Sequence, residues 1–250
     1  MAARCCCRHP RKAWPAHGAQ SVTPRDVHNP RPTPLTGVYA TPEEAVIATF
    51  VYLASQSPRR RQLLEQIGLP HEPLLPGANE DAEALEAVRG GEAPAAYVQR
   101  VTRAKLDAAR RRLKARGLPP APVLCADTTV ALRARILGKP ADAHEARAML
   151  AALSGRTHRV LSAVAMWTGT RRLEAQSISR VRFAVLPPQV IDAYVESGEP
   201  FGKAGAYAIQ SALAGWIEHI DGSYSGIMGL PLAETAALLR QAKVAHQLCE

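Results

Sequence analysis

Aromatic side chains are scarce in this 250-residue chain, at 5% of positions. A single-stranded nucleic-acid surface built on rows of stacking platforms needs more of them, so that class of partner is disfavoured. The five cysteines are Cys5, Cys6, Cys7, Cys125 and Cys249, three adjacent and two isolated, with no paired C-x-x-C. That arrangement excludes a disulfide framework and the usual zinc spacing, and it points to a reducing compartment, the cytoplasm. No run of eighteen apolar residues is present, so neither a transmembrane helix nor a membrane partner is expected. The basic residues Arg4, Arg8, Arg11 and Lys12 are not followed by an apolar stretch, so a secretory leader is not expected either. Walker-type and G-x-G-x-x-G loops are both missing, which argues against P-loop and Rossmann nucleotide sites.

What is present is a globular chain with a basic excess. Hydrophobic residues make up 47% of the sequence, which excludes wholesale disorder, and 250 residues suffice for one large α/β domain or two small ones sharing a core. Residues 1–49 hold 6 Lys/Arg against 3 Asp/Glu, and the remainder holds 25 against 19, which leaves +6 on the larger part. A moderately basic domain suits an anionic partner: a nucleotide, a nucleic acid or an acidic surface. Residues 1–44 are rich in Pro, Arg and His without hydrophobic period, and are expected to be a disordered extension. The folded domain is expected over residues 45–250.

From residue 46 onward strands and helices alternate. Residues 46–54 read as a buried strand. Ser57-Pro58 opens a helix whose stripe is Leu63, Leu64 and Ile67 and whose stop is Gly68. A second helix is predicted over 95–116. Residues 122–126 read as a strand, with a hairpin from 129–132 to 136–137. Asp142 and Glu145 form a D-x-x-E capping box for a helix that ends at Gly155. Strands over 158–167 and 177–186, then helices over 188–197 and 231–241, complete the reading. The pattern predicts an α/β fold with a mixed, partly antiparallel sheet and flanking helices.

Several groups could carry chemistry. Ser55-Gln56-Ser57-Pro58-Arg59-Arg60 lies where a strand feeds a helix N-terminus, an arrangement suited to an anion. Two arginines there run against the dipole preference unless an anion sits between them; a solvated basic turn is the alternative. Asp127 follows the apolar run Val123-Leu124-Cys125-Ala126, with Thr128 and Thr129 beside it. An acid at a strand end can hold Mg²⁺ or orient a water, or simply cap a turn. Glu80 and Asp81 could add metal ligands or form a solvated acidic turn. Lys105 falls on the apolar stripe of its helix with Val98 and Val101, either snorkelling to water or aimed at a phosphate. Lys139 and Lys203 are lysines flanked by Gly or Pro, where backbone and cation can both approach a ligand. His158 could be a base, although a lone His at a strand start is more often structural.

Taken in order, Leu53-Ala54-Ser55-x-Ser57-Pro58-Arg59-Arg60, Ala126-Asp127-Thr128, Gly138-Lys139-Pro140, Ser154-Gly155-Arg156-Thr157-His158, Gly202-Lys203-Ala204-Gly205-Ala206-Tyr207-x-Ile209-Gln210 and Gly222-Ser223-Tyr224 with Gly229-Leu230-Pro231 resemble the Maf family. The resemblance covers roughly residues 51–241. It implies a nucleoside triphosphate pyrophosphatase with two lobes around a nucleotide cleft, and a divalent cation, Mg²⁺ or Mn²⁺, as cofactor. It also implies a catalytic acid at Asp127 as proton acceptor, with Glu80 sharing the metal. Ser55, Arg60, Lys105 and Lys139 are implied at the phosphates. Arg59, Thr128 and Gln210 match the branch that prefers UTP and dTTP, while another branch prefers 7-methyl-GTP.

One departure is Ser211, where the family usually has Gly; a left-handed backbone there would strain a serine. A pyrophosphatase for 7-methyl-GTP or purine-type nucleotides is the nearest alternative in chemistry. A non-enzymatic cell-division regulator that binds nucleic acid or protein is the alternative in another class. A homodimer is allowed by the sequence without being required by it.

Overall fold

The computed structural model describes residues 48–247. The expected N-terminal extension, residues 1–44, lies outside the described residues. The strands are β1 (Val51–Leu53), β2 (His71–Pro73), β3 (Val123–Leu132), β4 (Arg135–Leu137), β5 (Thr157–Trp167), β6 (Arg172–Phe183) and β7 (Ile217–Asp221). The helices are α1 (Pro58–Gln66), α2 (Pro94–Ala115), α3 (Ala143–Leu153), α4 (Pro188–Glu196), α5 (Tyr224–Met228) and α6 (Leu232–Ala242). A short 3₁₀ turn, Ala84–Glu86, precedes α2.

All seven strands form one mixed sheet in the order β2-β1-β3-β5-β6-β7, with β4 also paired to β3. β1 is parallel to both β2 and β3, and the β3–β5, β5–β6 and β6–β7 pairs are antiparallel. This is the mixed α/β architecture that the alternation of elements predicts. Among the described residues, no helix is long and apolar enough to cross a membrane.

The pairing of β3 creates the cleft. One of its edges is bonded to β5 from Val123 to Ala131. Its other edge pairs with β1 only at Val123 and Leu124, and with β4 only from Val130 to Leu132. Residues 125–129 therefore have a strand on one side alone, and Asp127 and Thr128 lie in that gap. The sequence places Asp127 where an apolar strand ends. In fact the strand runs five residues further, to Leu132, because pairing with β5 carries it on. What ends near Asp127 is the parallel neighbour, β1.

Alternation along β3 assigns its residues to two layers. Val123, Cys125 and Ala131 pack beneath α2, whose Val98, Val101, Leu106 and Ala109 are all fully buried. Full burial of one such leucine or valine contributes about 1.5–3 kcal/mol, so this stripe anchors α2 against the sheet. Leu124 and Ala126 face the other way, into a cluster with Leu63 and Leu64 of α1 and Leu238 and Leu239 of α6. Val130 joins a neighbouring cluster with Leu150 and Leu153 of α3 and Val195 of α4. Met228 packs against both of these clusters.

Local signals act as read in some places and differently in others. The Asp142 carboxylate accepts from Glu145 N at 2.8 Å, and Glu145 reaches back to Ala141 N at 2.8 Å. Pro58 starts α1 after Ser57, but the Ser57 hydroxyl makes no capping bond. Ser211 has φ −86°, outside the left-handed region, so serine is unstrained there. Its hydroxyl instead donates to Ala208 O at 2.7 Å and accepts from Tyr194 at 2.9 Å.

Candidate active site

A cavity of about 690 Å³ opens at the gap beside β3. Ser55, Arg59, Arg60, Glu80, Lys105, Asp127, Thr128 and Lys139 all line it. Eight of the nine site residues that the resemblance implies thus share one space. The ninth, Gln210, does not line it: Ile209 and Tyr207 reach the wall, and Gln210 is exposed.

Arg60 ties one wall together. Its Nε donates to Gly229 O at 2.7 Å, Nη1 to Ser55 Oγ at 3.1 Å and Nη2 to Thr128 Oγ1 at 3.5 Å. Ser162 Oγ donates its single proton to Gly226 O at 2.6 Å, so the 2.8 Å contact between Thr128 and Ser162 is a donation from Thr128. A directed chain therefore runs from Arg60 through Thr128 and Ser162 to the backbone of α5. Arg59 Nε lies 3.3 Å from Met228 O. Burial lowers the Arg59 pKa from its ordinary value, and the neighbouring Arg60 lowers it further. Two guanidiniums crowded at the start of α1 make this wall strongly receptive to an anion.

The opposite wall is acidic and basic together. Lys105 Nζ lies 2.5 Å from Asp127 Oδ1 and 2.7 Å from Glu86 Oε1. Burial alone would push the Lys105 ammonium down, but Asp127 and Glu86 outweigh it and the net shift is upward. Lys139 Nζ lies 2.8 Å from Glu86 Oε2. The lysine on the apolar stripe thus turns into the cavity rather than out to water. Asp127 Oδ2 has no hydrogen-bond partner among the described residues.

Glu80 is held differently. Arg112 Nε donates to its Oε1 at 2.8 Å and Arg112 Nη2 to its Oε2 at 2.6 Å, with Gly77 N adding a bond of 3.1 Å. This bidentate grip, with the Gly77 bond, holds the Glu80 carboxyl at about 2, well below the usual range. Arg112 is not among the residues that the sequence marks out, although it continues the stripe of Val98, Val101 and Lys105 by two turns. Glu86 is also missed, because a loop residue without periodicity carries no such signal.

The Lys203 to Tyr207 segment closes another side. Gly205 has φ +69°, and its N–H donates to Gly138 O at 2.9 Å. A Cβ there would stand 2.9 Å from the Val130 side chain, so only glycine fits. Ala206 has φ +62°, a conformation costly for a residue with a Cβ, and such strain gathers at functional sites. Lys203 Nζ donates to Glu199 O and lies 3.5 Å from Glu199 Oε2. His158 is 2% exposed, with Nε2 at 2.7 Å from the Tyr207 hydroxyl. Burial pushes its pKa down to about 4. It stands behind the wall as a neutral support for Tyr207.

No group of three or more His, Cys, Asp or Glu side chains converges to hold a metal ion among the described residues. The donor set fits the other mode of binding, in which one or two carboxylates and the substrate's own phosphate oxygens complete the shell. Asp127 Oδ2, with about two acceptor positions open among the described residues, can take that role on one and keep the other for a water. Glu80 already accepts three hydrogen bonds, which leaves about one of its roughly four acceptor positions open.

Comparison with known proteins bears on the whole domain. A family model for Maf-like proteins matches residues 50–242. A dTTP/UTP pyrophosphatase of a Polaromonas species is 66% identical over 195 residues, covering 78% of this chain and 96% of that protein. The dTTP/UTP pyrophosphatase of Burkholderia pseudomallei is 64% identical over 198 residues, covering 78% of this chain and 95% of its own length. That of Albidiferax ferrireducens is 61% identical over 194 residues, covering 78% and 97%. The motifs that carry the resemblance and these relatives agree, and the chain belongs to the Maf-like protein family.

Proposed function

We propose that this chain hydrolyses dTTP and UTP to the nucleoside monophosphate and pyrophosphate. The observation that carries the reading is that Arg60, Lys105 and Lys139 line one cavity together with Asp127, whose carboxylate Lys105 contacts. The names of the relatives give the substrate class.

The reaction follows from charge. Water adds to the α-phosphorus, the bridging α–β P–O bond breaks, and pyrophosphate leaves with the bond's electron pair. Asp127, oriented by Lys105 at Oδ1, takes the water's proton on Oδ2. Arg60, Lys105 and Lys139 offset the negative charge that grows on the leaving group, the dominant contribution in such sites. Ser55 lends a hydroxyl at the same wall. A divalent cation, Mg²⁺ or Mn²⁺, held by Asp127 with help from Glu80, would add Lewis-acid charge neutralisation when bound.

Base choice is assigned to Arg59, Thr128 and Gln210, with the Gln210 amide pairing to O4 and N3–H of the pyrimidine. Because Gln210 stands outside the cavity lining, it would act at the cavity's mouth. Residues 45–250 form the catalytic domain and residues 1–44 an extension to it; the family match beginning at residue 50 supports that division. The cytoplasm is the proposed location, in keeping with a cysteine spacing that forms no disulfide framework.

The test is pyrophosphate release from UTP, dTTP, CTP, ITP and 7-methyl-GTP, with and without Mg²⁺ or Mn²⁺. Metal-dependent turnover of UTP and dTTP ahead of the others is expected. Faster release from 7-methyl-GTP would overturn the substrate assignment, and no release from any nucleotide would overturn the reaction.

A further inference from the structure

Glu86 sits on both lysines that the proposed reaction assigns to phosphates. Its Oε1 accepts from Lys105 at 2.7 Å and its Oε2 from Lys139 at 2.8 Å. One carboxylate therefore spans two cations much as the oxygens of a phosphate would.

The segment that carries it is fastened. The Tyr97 hydroxyl donates to Glu86 O at 2.8 Å. Arg100 donates to Leu85 O at 3.4 Å and to Ala87 O at 2.9 Å. Arg100 is itself gripped by Glu92 through bonds of 2.7 and 2.8 Å. Three successive carbonyls are thus tied to α2, the helix that also presents Lys105. With the backbone pinned, leaving the lysines takes only side-chain rotation. Burial works against an ionised Glu86, yet Lys105 and Lys139 hold its pKa below the ordinary value, so it is an anion at neutral pH.

We propose that Glu86 is a built-in anionic competitor at the phosphate cradle, one that keeps Lys105 and Lys139 in position, yields to the triphosphate and returns as pyrophosphate leaves. The proposal rests on the reading of these two lysines as phosphate contacts. A single carboxylate is displaced readily by a polyphosphate, with its several charges, and poorly by orthophosphate. Glu86 thereby weakens retention of the product, and its side chain is a positioning group rather than a reacting one.

The experiment titrates inorganic pyrophosphate, without divalent metal, into the full-length wild type, Glu86→Gln and Glu83→Gln by calorimetry. Glu83 is the control: it is the same charge change on the same loop, with its carboxylate 3.9 Å from Lys139 and its side chain 87% exposed. Loss of one partly exposed competing pair at each lysine is expected to tighten pyrophosphate binding roughly 3- to 10-fold in Glu86→Gln. The KM for UTP is expected to fall in step while kcat stays level or drops, and Glu83→Gln is expected to stay within about 2-fold of wild type. Damage to the fold would raise KM instead, and Glu86→Ala repeats the test should the Gln variant melt early. Unchanged or weaker pyrophosphate binding in folded variants would overturn the inference, as would a higher Mg²⁺ requirement, which would make Glu86 a metal ligand. Binding is read without turnover, so tightened pyrophosphate binding in a chain that does not hydrolyse UTP would strike the proposed reaction and spare this inference.

Discussion

Lys105 Nζ lies 2.5 Å from Asp127 Oδ1, an ion pair that joins the middle of α2 to the stretch of β3 left open between β1 and β4. It fixes the carboxylate without using both oxygens. Asp127→Asn keeps the shape and removes the proton acceptor. It is expected to lower kcat on UTP by about 10²–10⁴. Lys105 retains Glu86 in that variant, so the stability cost should be modest, about 1–3 kcal/mol. Steady-state kinetics and a urea melt check both numbers; full turnover in a folded Asp127→Asn protein would remove Asp127 from the role.

Arg60 offers a second test, because its three donors reach three separate segments: Gly229 after α5, Ser55 after β1 and Thr128 in β3. Arg60→Lys keeps the charge, but an ammonium cannot reproduce a planar fork. About one to two hydrogen bonds should be lost at roughly 1 kcal/mol each. The expected result is a KM for UTP raised on the order of 10-fold, together with a lower melting temperature. A lysine variant equal to wild type in both would show that the fork matters neither to the wall nor to the phosphates.

How legible each feature is in the sequence depends on which forces set it. α2 was legible because its apolar residues repeat on one face, and the same stripe carries Lys105 into the cavity. The capping box at Asp142 was legible because its bonds are local. β2 and β7 were not: His71-Glu72-Pro73 and the edge strand Ile217–Asp221 show little alternation and owe their existence to a neighbour. The first five residues of β6, Arg172 to Gln176, fall outside the strand predicted over 177–186, although Leu173 and Ala175 alternate with polar neighbours and each of the five pairs with β5. Of the eight proposed site residues that line the cavity, six stand in the family motifs, while Glu80 and Lys105 lie outside them. Glu86 and Arg112 stayed hidden because their partners, Lys139 and Glu80, are distant in sequence and no local pattern links them.

His158 predicts an acid-sensitive fold. In the unfolded chain a histidine titrates near pH 6.5, while burial holds the native His158 at about 4. Protons therefore bind the unfolded chain first. The contribution is fully present above pH 6.5 and is lost as the pH falls towards 4, on the order of 3 kcal/mol in all. The Glu80 pairing with Arg112 acts lower, from about pH 4.5 down to about 2. Unfolding free energy measured by urea between pH 7 and pH 4 should fall by up to about 1.4 kcal/mol per pH unit more in wild type than in His158→Gln. Parallel curves for the two proteins would mean that His158 is not buried as a neutral ring.

Gln210 carries the sharpest prediction about selectivity, since it alone of the proposed site residues stands outside the cavity lining. Uracil presents O4 as an acceptor and N3–H as a donor; cytosine reverses both. A glutamine amide held by the bound nucleotide's surroundings in the orientation that suits uracil leaves its own groups unpaired against cytosine, which is costly once water is excluded. Gln210→Ala removes that penalty and should shrink the UTP over CTP preference in kcat/KM by roughly 10-fold, mainly by weakening UTP. Thr128→Val should act differently. It breaks the chain from Arg60 to Ser162 and the backbone of α5, so it should weaken all nucleotides while the ratio moves less. Measuring both variants on both nucleotides separates the roles. If Gln210→Ala leaves the ratio unchanged and Thr128→Val shifts it, the base is read inside the cavity and not at its mouth.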